Sequence, residues 1–137
     1  MINTSDVRRG NFVVVKHSIE GTPVVVRISS ILVNDFQVEF MGQIRVVSPE
    51  EVTGIELTDE TLQLMGFISG YMGNSNLRYF EPLFLEKLED GYYLTLSSGR
   101  VNRTPIVNLH QLQNIYHALT GDELPLNPYF ELKQNDI

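Results

Sequence analysis

Val107-Asn-Leu-His-Gln-Leu-Gln-Asn-Ile-Tyr-His-Ala-Leu-Thr-Gly121 reads as one complete helix with both ends marked. Leu109, Leu112, Tyr116 and Leu119 recur at spacings of three, four and three, so they form a single apolar stripe that has to pack against another element. Asn108 suits the N-cap, Gln111 follows three residues later as in a capping box, and Val107 and Leu112 are placed for a hydrophobic staple. Gly121 supplies the left-handed stop. The opposite face carries His110, Gln113, Asn114 and His117. His110 and His117 are separated by about 10 Å of rise, too far for one metal ion, because metal-ligand pairs on a helix need spacings of three or four. The face is read as solvated or bonded to a neighbouring loop, with His110, Asn114 and His117 as candidate contacts to another subunit.

Upstream of this helix the pattern is that of a second antiparallel sheet. Leu77 to Phe80, Leu83 to Leu88 and Tyr92 to Leu96 are strand-like, with Glu89-Asp-Gly91 and Ser97-Ser-Gly99 as turns, and Arg100 to Arg103 closes the set. The long helix is expected to lie across it. A shorter helix precedes the sheet: Thr58 caps it, Asp59 and Glu60 oppose the dipole in its first turn, and Gly66-Phe67 ends it. Ser69 to Asn76 is rich in glycine and asparagine and reads as a loop, in which the large apolar Tyr71 and Met72 are candidate partner contacts. Downstream, Leu124 to Ile137 contains Pro125 and Pro128 and is expected to be extended, with Tyr129 and Phe130 free to dock on the core or on a neighbour.

The N-terminal third is different. Phe12-Val-Val-Val-Lys-His17 and Val24-Val-Val-Arg-Ile-Ser-Ser-Ile31, joined through Glu20-Gly-Thr-Pro23, predict a hairpin. Phe36-Gln-Val-Glu-Phe40 alternates apolar and polar residues, and Met41-Gly42 turns into Gln43 to Val47. Ser48-Pro49 then opens a helical turn. Short strands this close together predict a small SH3-like barrel or a twisted meander. The fold class expected is therefore α+β: the small antiparallel barrel or meander, a short helix, a second antiparallel sheet, and the long C-terminal helix packed on that sheet. Residues 1–137 are read as a single domain with subdomains at 1–54 and 55–137.

Composition narrows the function classes. The chain has 137 residues and no cysteine, which excludes disulfides and thiol catalysis and fits a reducing compartment. Met1 to Asn11 lacks the apolar stretch of a signal peptide, and no segment approaches a membrane span, so a cytoplasmic location or packaging in a particle assembled in the cytoplasm is expected. The net charge of −7 is unevenly placed, with five basic against four acidic side chains over residues 1–47 and five against thirteen over 48–137. Only the first part can offer an anion-binding face, and there Arg8, Arg9, Arg27 and Arg45 with Phe12 are the candidate nucleic-acid or nucleotide contacts. The charges are few, so a nucleic-acid partner is disfavoured.

Catalytic patterns are weak. The doublets Glu50-Glu51, Asp59-Glu60, Glu89-Asp90 and Asp122-Glu123 sit where turns and helix starts favour acids. Gly70-x-x-Gly73 lacks the strand, lysine and helix of a phosphate-cradling loop, and Ser97-Ser98-Gly99 is a turn without the strand-to-helix elbow of a serine nucleophile. No catalytic, cofactor or metal residue is assigned.

At Arg9-Gly-Asn-Phe-Val13, Glu56 to Phe67 and Leu109 to Leu124, whose His-Gln-Leu-Gln-Asn core is the most specific, the chain resembles a family of small proteins frequent in phages, prophages and mobile elements of anaerobic gut bacteria. The resemblance implies a context and not a reaction. The function expected is thus that of a phage or mobile-element protein acting without catalysis, through contacts with a protein partner or with itself. The alternative is a ligand-binding module that uses the N-terminal barrel for a nucleic acid or nucleotide.

Overall fold

The computed structural model describes residues 6–16, 23–40, 42–70, 73–96, 99–101 and 104–125. Along these the strands are β1 (Phe12–Val15), β2 (Val24–Ile31), β3 (Phe36–Phe40), β4 (Gln43–Val47), β5 (Val52–Thr53), β6 (Ile68–Ser69), β7 (Leu77–Phe80), β8 (Leu83–Leu88), β9 (Gly91–Leu96) and β10 (Gly99–Arg100). The α-helices are α1 (Asp59–Leu64) and α2 (Leu109–Thr120). They build an α+β fold with two antiparallel five-stranded sheets. Neither helix is long and apolar enough to cross a membrane.

The chain divides into two compact units, one comprising residues 1–55 with 108–137 and the other residues 56–107. In the first, the strand order is β4-β3-β2-β1-β5. The β-branched runs place Val13, Val15, Val26, Ile28, Phe36, Val38 and Val47 on one face, where they pack with Val7 and Val52. Ser48 and Pro49 end β4, a 3-10 turn at Pro49–Glu51 follows, and β5 then pairs with β1 through Val14–Thr53 and Val15–Val52. A bulge between Ile28 and Ser30 interrupts the β2–β3 register and bends β2. The edge strand β4 exposes Ile44 and Val46.

In the second unit the order is β10-β9-β8-β7-β6. Thr58 caps α1 by accepting the Thr61 amide at 3.1 Å. At its other end the Phe67 and Gly66 amides donate to the carbonyls of Leu62 and Gln63, the paired bonds that end a helix on a left-handed glycine. Phe67 is buried and its ring lies 5.2 Å from that of Phe80.

Three expectations are corrected. The long helix belongs to the unit of the first sheet, where it meets β1, rather than to the second sheet. Its buried face is Leu109, His110, Leu112 and Gln113, while Leu119 is exposed; the backbone groups of Gly10 and Phe12 satisfy the Gln113 amide and make its burial favourable. Ser69, read as loop, pairs with Arg78 in β6–β7.

Candidate functional site

Residues 6–11 lie ahead of β1 with no strand or α-helix of their own, and side-chain amides hold this arm in place. Asn11 is fully buried; its Nδ2 donates to Asn114 Oδ1 at 2.8 Å and its Oδ1 accepts the Arg8 amide at 2.6 Å. Asn114 Nδ2 in turn donates to the Asp6 carbonyl at 2.7 Å. Gln113, also buried, accepts the Phe12 amide at 2.9 Å and donates to the Gly10 carbonyl at 3.3 Å. On the opposite side Gly10 and Ile28 complete the seating, the Gly10 amide donating to Ile28 and the Ile28 amide to Asn11, each at 2.8 Å. The arm is fastened between α2 and β2.

That fastening places the arginines. Arg8 reaches Glu123 with both terminal nitrogens, at 2.6 and 3.1 Å, and bonds Asn114 through Nε at 3.1 Å. These bonds hold the Glu123 carboxyl below its usual range against a smaller opposing effect of burial. Arg27, on β2, is directly opposite Phe12 across the β1–β2 pair, and its guanidinium carbon lies 5.3 Å from the centre of the Phe12 ring. Glu39 faces Arg27 from β3. Phe12, Arg27 and Glu39 therefore form one row across three strands on the sheet's outer face, at roughly 4.8 Å per strand.

This row and the arm line a cleft of about 650 Å³, together with Ile28, Ser29, Gln113, Leu124 and Pro125. Arg8 is spent on Glu123. Arg9 and Glu39 are exposed and make no side-chain ion pair among the described residues, and Arg27 makes none beyond its stacking on Phe12. Ser29 donates to the Gln37 carbonyl at 3.1 Å. The wall thus offers cationic charge, an aromatic ring under a guanidinium, one carboxylate without an ion pair among the described residues and apolar side chains.

Of the candidate anion contacts, Arg8, Arg9 and Arg27 converge here, whereas Arg45 lies on the edge strand β4 opposite Val38. Of the candidate subunit contacts, Asn114 is engaged within the chain and His110 is buried, its Nδ1 having no partner among the described residues. Burial holds the His110 imidazole below its usual pKa, the charge of Asp6 opposing this. His117 is half-buried and contributes to the field at Glu123. Tyr71, Met72, Tyr129 and Phe130 lie outside the described residues. Sequence reasoning assigned no site role to Asn11, Glu39 or Glu123, whereas Gln113 lies on the polar helix face read as solvated or bonded to a neighbouring loop and is bonded to Phe12 and Gly10.

The second unit contains another polar cluster. Asp59 accepts Arg78 Nε at 3.0 Å and Nη2 at 3.3 Å, Lys87 Nζ at 2.6 Å and the Tyr92 hydroxyl at 2.6 Å. The Arg78 bonds, with lesser help from Lys87 and Tyr92, hold the Asp59 carboxyl far below its usual range although burial acts the other way. Burial, then the bond to Asp59, pushes the Tyr92 hydroxyl well above its usual range. With every partner engaged, the cluster acts as a clamp joining the start of α1 to β7, β8 and β9. Comparison of the chain with protein-family models, curated proteins and solved structures gives no match.

Proposed function

We propose that the protein is a non-catalytic binding module whose first unit is an SH3-like barrel and whose ligand, a small anion, seats in the Arg8–Arg9–Arg27 cleft. The observation that carries this reading is the convergence of Arg9, Arg27 and Phe12, beside the Arg8–Glu123 pair, on one wall of a chain whose net charge is −7. Cation placed against a partly apolar wall concentrates anions more effectively than the same charge spread in water. The strand order leaves β4 and β5 as edges, and the barrel reading rests on the return of β5 to β1 after a 3-10 turn and on the register shift in β2. The resemblance to phage and mobile-element proteins supplies the setting, a cytoplasm shared with a host. Thermal melting against inorganic phosphate, carboxylates and nucleotides tests the reading. At least one anion should raise the Tm, and Arg9→Glu with Arg27→Glu should abolish the rise; no response to any of them counts against an anion site.

A second reading, association with a protein partner or another copy of the chain, is favoured by Ile44 and Val46, exposed at 62% and 53% on β4, an edge strand without a further neighbour among the described residues. Ile44→Lys would lower the mass in solution if this edge pairs, and leave it unchanged otherwise.

A further inference from the structure

The cleft's lining is more selective than an anion site needs. A bare anion gains from Arg9 and Arg27 but is repelled by the exposed carboxylate of Glu39, which faces Arg27 without an ion pair among the described residues. Between these charges the Phe12 ring lies under the Arg27 guanidinium, and Leu124 and Pro125 also line the cleft. A fitting ligand presents three things: an anionic group for Arg9, a planar ring to lie on the Arg27–Phe12 stack, and N–H donors for Glu39. Fatty acids and sugar phosphates lack the ring, and aromatic carboxylates without an amino group lack the donors. A purine nucleotide has all three. Among the bases, guanine sets an N1–H beside an exocyclic amino group, and that pair matches the two oxygens of a carboxylate. A cleft of about 650 Å³ is large enough for such a ligand.

We propose that the cleft binds a free guanine nucleotide, with its base stacked on Arg27 and Phe12, its Watson–Crick edge on Glu39 and its phosphate on Arg9. This rests on the reading of the cleft as an anion site. A free nucleotide is preferred to a nucleic-acid strand because the remaining surface of a chain at −7 repels the flanking phosphates of a polymer.

Isothermal titration of the full chain with GMP, guanosine, inorganic phosphate and a guanine-containing single-stranded 12-mer separates the cases. GMP should bind at least tenfold tighter than each of the others. Arg27→Lys, which keeps the charge and loses the flat stacking plane, should weaken GMP tenfold and leave phosphate unchanged, and Glu39→Gln should also weaken GMP tenfold. Phosphate binding as tightly as GMP overturns the nucleotide assignment while the anion site stands. Tighter binding of the 12-mer overturns the free nucleotide, and GMP binding that strengthens in Glu39→Gln overturns the role of the carboxylate. Silence from all four ligands removes both this assignment and the anion site beneath it.

Discussion

Replacing a buried amide that is bonded at both ends costs stability, and Gln113 is such a group, joined to the Phe12 amide and the Gly10 carbonyl. Gln113→Leu keeps the volume but strands two backbone groups, so it should destabilise the protein by about 1–3 kcal/mol in urea unfolding. It should also loosen the cleft, since the arm carries Arg8 and Arg9 and leads directly into Phe12. His110, one helical position from Leu109, has a different signature. Its pKa in the fold is held below the ordinary value by burial, so the unfolded chain takes up a proton first as pH falls. Stability should therefore be full above about pH 6.5 and decline below it. Melting curves between pH 5 and 8 should show this decline in the wild type, and His110→Gln should flatten it. At this scale the sequence disclosed the charged and aromatic half of the site, because Arg8, Arg9, Arg27 and Phe12 stand out in a short basic segment. It did not disclose Glu123, whose bond to the arm spans a separation of 115 residues. Nor did it disclose that a polar helix face would be buried, since the partners that make this favourable are backbone groups of the arm.

Elements with local signals were legible: the first hairpin, the alternation in β3, the caps of α1 and both ends of α2 all have their cause within a few residues. The Asn108 amide donates to Gln111 Oε1 at 3.0 Å, and Gly121 closes α2 at a φ of 78°. Which sheet a helix packs against has no local cause, and the helix was accordingly assigned to the wrong one. Gly54, between β5 and the second unit, shows the effect of a close approach. A Cβ there would stand 2.8 Å from Cγ of Asn108 at the start of α2, so Gly54→Ala should lower the Tm by displacing the helix start. The Asp59 clamp on α1 belongs to the same scale. Asp59→Asn removes the charge facing the nearly buried Arg78 and should cost about 2–3 kcal/mol in urea. Because the Asp59 pKa is depressed in the fold, the clamp's contribution is present above the ordinary carboxylate range and is lost as pH falls below about 4, a window separate from that of His110.

For the molecule as a whole, charge and architecture point to the same face. The acidic surplus lies beyond residue 47, while the first sheet and its arm hold the arginines that line the cleft. The two-sheet α+β class was legible from strand spacing, whereas the division into units was not, because α2 is separated by more than fifty residues from the strands it joins. Binding confined to the first unit should add stability that grows with the logarithm of ligand concentration over Kd, so a ligand at a hundredfold excess over Kd adds about 2.7 kcal/mol. The most direct test of the cleft is a titration of the isotopically labelled protein with GMP, followed through backbone amide resonances. The account predicts progressive, saturable shifts at Arg8 to Phe12, Arg27 to Ser29 and Glu39, with Leu83 to Leu96 unmoved. Shifts centred on the second unit, or none at millimolar ligand, would contradict it.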